Sequence, residues 1–166
     1  MSVFLSALLS ILFTLTLNTA YATAPILINF TQLVTAIENA DDVKAIIHFD
    51  RCLVINEKNQ AIQTQIIKKF DGATTRFNFT KYLHAKEQLT GELQDTVTTS
   101  IKTSIEQSSG EFLTLFAQLK IFDDNTATIH IDSFAPVGQK TSLSVDWFCN
   151  ISNGSDNNGL ILYDFP

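Results

Sequence analysis

Apolar residues recur along this chain at two spacings, and the first change of rhythm falls near residue 43. Over residues 30–40 they sit at 30, 33, 34, 37 and 40, a three-and-four spacing that places them on one helix face. Asn29 stands where an N-cap belongs, and residues 39–42 form a polar exit. From residue 43 the period drops to two. The run VKAIIHF predicts a strand with Val43, Ala45, Ile47 and Phe49 on one face. Lys44, Ile46, His48, Asp50 and Cys52 then fall on the other, so Cys52 needs a bulge or a strand end near Asp50-Arg51 to reach a core partner.

Further on, residues 61–70 and 74–82 are rich in β-formers and flank Asp71-Gly72, which predicts a hairpin. Residues 85–92 are polar and weakly patterned. Val97, Thr99, Ile101, Thr103 and Ile105 alternate, and the Thr content favours a strand over a helix. A second hairpin is expected from residues 112–122 and 126–132 around Asp123-Asp124-Asn125. After a break at Pro136-Val137-Gly138, Leu143, Val145, Trp147, Cys149 and Ile151 alternate. Residues 152–159 read as a loop and 160–165 as a last strand. The expected fold is mostly β (α+β). One N-terminal helix packs on an antiparallel curved sheet or a small barrel of six to eight strands.

Residues 1–24 carry no charged side chain, and residues 3–17 are apolar with interleaved Ser and Thr, as in the hydrophobic region of a signal peptide. Ala20-Tyr21-Ala22 and Ala22-Thr23-Ala24 both offer the small-x-small pattern that signal peptidase reads. The leader lacks the usual Lys or Arg, so an uncleaved anchor competes. The apolar run is shorter than the roughly 20 residues of a membrane span and ends at Asn18-Thr19, which favours cleavage after Ala22 or Ala24. Residues 1–22 are therefore expected to be a signal peptide and residues 25–166 a single domain. That domain is periplasmic or secreted, with no stable membrane span after cleavage.

The chain holds 11 basic and 17 acidic residues, a net charge of −6. That balance argues against a nucleic-acid partner, which would need a basic surplus on one face; it suits solubility. The two cysteines, Cys52 and Cys149, are expected to form a disulfide in an oxidising compartment. The alternative, a free catalytic thiol, would need a reducing one.

Candidate chemistry is thin. His48, Asp50 and Cys52 at alternate positions present possible metal ligands, and His130 with Asp132 forms a second pair. Ordinary polar positions on a solvated strand face are the preferred reading of both. Asp123-Asp124-Asn125 resembles a fragment of a calcium loop but lacks its later ligands, and a turn accounts for it. No phosphate-binding loop, nucleophile elbow or zinc-helix motif occurs, so no catalytic, metal or cofactor residue is assigned. Of the 13 Phe residues, Phe112, Phe116 and Phe122 fall opposite Leu113, Leu115, Leu119 and Ile121. A strand apolar on both faces is either sandwiched in a core or lines a ligand cavity. Asn29, Asn78, Asn150 and Asn153 are glycosylation acceptors only in a host that glycosylates exported proteins.

The run FTQLVTAIENADDVKAIIHFDRC resembles the start of the VirK family of bacterial exported proteins, where a short helix precedes a β-rich V-x-x-V-I-H-F/Y-x-x-C segment. FAQLKIFDDNTATIHI and WFCNI resemble that family's central hairpin and second cysteine strand. The likeness spans residues 29–163, and the helix exit departs from it, with Asn-Ala-Asp-Asp in place of a glycine-containing turn. Members are linked by name to virulence gene clusters, and no family activity or site residue carries over. The resemblance implies an exported VirK-like protein, a non-enzymatic binding or virulence-associated factor whose partner is an unknown protein or a small apolar ligand. Two alternatives stand beside it: a carrier of a small apolar ligand in a β-lined cavity, and an enzyme using His48 with Asp50 or Asp132.

Overall fold

The helix and strand read from residues 30–49 both form. Helix α1 runs over Phe30–Glu38, and its Asn29 cap accepts the Gln32 N–H at 2.9 Å. Gln32 reaches back to accept the Ile28 N–H at 2.8 Å, so two otherwise orphaned donors are satisfied. Phe30, Leu33, Ala36 and Ile37 are buried, as the spacing requires. The computed structural model describes residues 24–55, 60–89, 91–106, 112–134 and 141–165. The expected leader at residues 1–22 and the break at 136–138 lie outside them.

Among the described residues there are ten strands: β1 Ile26–Leu27, β2 Asp42–His48, β3 Leu53–Ile55, β4 Thr74–Asn78, β5 Leu83–Leu89, β6 Glu92–Glu106, β7 Phe112–Phe122, β8 Thr126–Phe134, β9 Thr141–Asn150 and β10 Leu160–Phe165. They form two antiparallel sheets, one ordered β1-β10-β2-β4 and the other β3-β9-β8-β7-β6-β5. Each sheet turns its alternate apolar residues inward. Val43, Ala45, Ile47, Leu160 and Leu162 from the first join Val97, Leu119, Ile121, Ile129, Val145 and Trp147 from the second in one hydrophobic cluster. The mostly β fold with an N-terminal helix is as expected; the described strands number ten, more than the six to eight expected, and lie in two sheets.

Residues 61–70 depart from expectation. They form a second helix, α2 over Gln60–Lys69, not a strand. Gln63, Ile66 and Phe70 turn inward while Thr64, Gln65, Ile67 and Lys68 are exposed, a period near 3.6 that their β-branched composition disguised. Asp71-Gly72 accordingly ends a helix and makes no hairpin: Gly72 takes φ +66° and the Ala73 N–H returns to the Phe70 carbonyl at 2.9 Å. The strand expected over 74–82 stops at Asn78. The weakly patterned stretch 85–92 covers most of β5, an edge strand that pairs with β6. An edge strand facing solvent has no need of apolar alternation.

Candidate functional site

Between the two sheets the core gives way to a cavity of about 360 Å³. One wall is the inner face of the six-stranded sheet. Along β7, Leu119 and Ile121 are fully buried, whereas Leu113, Leu115 and Ala117 on the same face line the cavity. Ile101 and Thr103 of β6, Ile131 and Ser133 of β8, and Leu143 of β9 continue that wall. The opposite wall is Phe49, Phe70 just past α2, Ala73, and Thr74 and Thr75 at the start of β4, and the space opens to solvent beside the exposed Thr74 and Thr103. Facing layers stand about 10 Å apart and need large side chains to fill the gap. Ala73, Thr74, Thr75 and Ala117 are too small to do so, and space remains. No charged residue lines it among the described residues.

Three aromatic rings close the core side of this space. Phe49, Phe70 and Trp147 pack mutually with centroids 5.1–5.5 Å apart at tilted or edge-on angles. The Trp147 indole N–H is buried with no partner among the described residues. Phe49 owes its position to a 3-10 turn, Phe49–Arg51, that ends β2 and carries the chain across to β3 in the other sheet. The His48 N–H donates to Gly159 O at 2.8 Å and the Phe49 N–H to Ala73 O at 3.2 Å. That turn also redirects Cys52 inward. Cys52 and Cys149 are joined as a disulfide, with a Cα–Cα distance of 4.7 Å and a sequence separation of 97. The expected pairing is present, and the strand end at Asp50-Arg51 resolves the facing problem posed by period two.

The turn equally separates the polar residues that the strand pattern put together. Asp50 is exposed, Cys52 is consumed by the disulfide, and no hydrogen bond among the described residues links His48 to Asp50 or Asp132. Asp132 instead belongs to a cluster on the outer face of the six-stranded sheet. His130 Nε2 meets Asp132 at 2.9 Å and Nδ1 meets Asp146 at 2.7 Å, from the neighbouring strand in register. Carboxylates only accept, so the doubly protonated imidazolium alone donates to both. The hydrogen bond to Asp146, helped by Asp132 and opposed by desolvation, raises the His130 pKa above its ordinary value. Sequence reading paired His130 with Asp132 but missed Asp146, which only the register of β8 and β9 supplies.

A second histidine escaped notice altogether. His84 of β5 bridges Glu38 of α1 at 3.3 Å and Asp95 of β6 at 2.9 Å. Asp123-Asp124-Asn125 is a closed turn: Asp124 accepts from the Thr126 N–H and hydroxyl at 3.0 and 2.6 Å, and Asn125 accepts the Phe30 N–H at 2.8 Å. No group of three or more His, Cys, Asp or Glu suited to a metal occurs among the described residues. Nor is any helix among them long and apolar enough to cross a membrane. Phe112 is exposed and Phe116 half-buried on the face of β7 away from the cavity, which the leucine face lines.

Among solved structures, the chain is similar to the crystal structure of lpg1832, a VirK family protein from Legionella pneumophila. The match covers 85% of this chain and 99% of that one, with a TM-score of 0.59 and 12% sequence identity. At that identity the likeness is one of fold. No protein-family model and no curated protein sequence matches the chain.

Proposed function

We propose that this chain is an exported VirK-type protein that acts outside the cytoplasm by binding, without chemistry of its own, and that it carries a small apolar molecule in the cavity between its sheets. The cavity is the observation that carries the reading. Ligand sites are concave and mostly apolar, and this apolar cavity of about 360 Å³ runs from a solvent-facing mouth at Thr74 and Thr103 up to a fully buried strand face, so a small molecule can enter it from outside. Export is supported by the charge-free leader and by a disulfide, which persists in oxidising compartments. The VirK relation is supported by the shared fold and by the order of the sequence pieces around both cysteines.

The test is native mass spectrometry of protein taken from the extracytoplasmic fraction without detergent. A bound species that organic extraction removes is expected on a chain shortened to begin at Thr23 or Pro25. A full-length chain retained in the cytoplasm would contradict export, and a chain free of adduct even after incubation with apolar extract would contradict the carrier role.

A further inference from the structure

We propose that the ligand of this cavity is electrically neutral: a hydrocarbon chain or ring system with at most a hydroxyl or carbonyl group, and no carboxylate, phosphate or ammonium inside the site. This rests on the carrier reading above and specifies its ligand. The walls supply leucine, isoleucine, phenylalanine and alanine side chains, and the polar side chains among the described lining residues are the hydroxyls of Thr74, Thr75, Thr103 and Ser133. A hydroxyl offers one hydrogen bond to an alcohol or carbonyl. It cannot offset the desolvation of a full charge, which requires a counter-ion or several aligned donors.

Among the described residues, the charged neighbours of the lining positions do not serve either wall. Lys102 alternates with Ile101 and Thr103, and Asp132 with Ile131 and Ser133, so both belong to the other face of their strands. Asp132 is already engaged there by His130. Lys68 and Asp71 near the end of α2 are exposed. Size follows from the same space. An apolar cavity of about 150 Å³ accommodates benzene, so one of this volume holds roughly a dozen non-hydrogen atoms.

The experiment titrates the disulfide-intact mature protein with three probes of equal chain length at neutral pH: decanol, decanoate and decylammonium. Binding is read by calorimetry and by fluorescence of Trp147, the sole tryptophan, whose ring touches two cavity residues, Phe49 and Phe70. Decanol is expected to bind and to shift the emission, with decanoate and decylammonium weaker by roughly tenfold or more. Equal or tighter binding of either ion overturns neutrality while leaving the carrier reading intact. If none of the three binds, and naphthalene does not either, the carrier reading itself is wrong. Ala117→Leu, which narrows the cavity, should weaken decanol; an unchanged decanol affinity places the binding elsewhere and overturns the assignment.

Discussion

Gly159 lies against the sulfur of Cys52 so closely that no side chain fits between them. A Cβ at Gly159 would collide with Cys52 Sγ and stand 2.9 Å from the His48 carbonyl oxygen. The loop before β10 thus presses on the turn that carries the chain from one sheet to the other, and the disulfide closes the contact from the far side.

Gly159→Ala should therefore destabilise the protein by about 1–3 kcal/mol, the usual cost of overpacking. Urea denaturation checks it. In a Cys52→Ala/Cys149→Ala background the penalty should shrink, because the colliding sulfur is gone. It should not vanish, since His48 O stays in place. An equal penalty in both backgrounds would mean that the disulfide is not what Gly159 accommodates.

The disulfide itself closes a loop of 97 residues, most of the domain. By the chain-entropy relation its removal through Cys52→Ala/Cys149→Ala should cost about 4–5 kcal/mol, read as a fall in ΔG of unfolding. On non-reducing gels the native chain should run ahead of its reduced form. A chain that unfolds at the same urea concentration with and without reductant would contradict this contribution.

His130 sets a pH dependence whose sign is fixed by its raised pKa. The folded state holds the proton more tightly than the unfolded one, so this stabilisation is complete below the ordinary value of 6.5 and is lost as pH rises through the folded value. The Tm difference between the wild type and His130→Gln should accordingly be larger at about pH 5.5 than at about pH 9. His130 is about a third exposed, so the effect is screened and modest. A difference that grows with pH would reverse the assignment.

Ala117→Leu tests the cavity through two opposite effects. Filling apolar space commonly adds about 0.5–2 kcal/mol of stability, while the same methyl groups occupy the ligand's room. Thermal denaturation should show the gain, and titration with decanol the loss. If Ala117→Leu destabilises, as insertion into packed interior does, the space at Ala117 is not open.

Much of this architecture was legible in sequence because one face of each strand is buried and the other is not. The alternation at 43–49 and 143–151 gave both strands that flank the disulfide, and the spacing at 30–40 with Asn29 gave α1 and its cap. Helix α2 was obscured by Ile66 and Ile67: β-branched residues suit strands, and here tertiary packing of Ile66 and Phe70 outweighed that preference. The site was half visible. Leucine and phenylalanine on opposite faces of β7 posed the choice between packed core and cavity. The answer depended on Ala73, Thr74 and Thr75, some 40 residues away in sequence and too small to fill the facing wall. His130 with Asp146, and His84 with Glu38 and Asp95, depend on strand register and helix docking, which no local spacing encodes.

The most direct test of the carrier role is a crystal structure of the protein isolated from its own host without detergent. Continuous density for a non-protein molecule between Leu115 and Phe70, free of any charged partner, is the expected result. A cavity filled by the protein's own side chains, or occupied by hydrogen-bonded water alone, would contradict it.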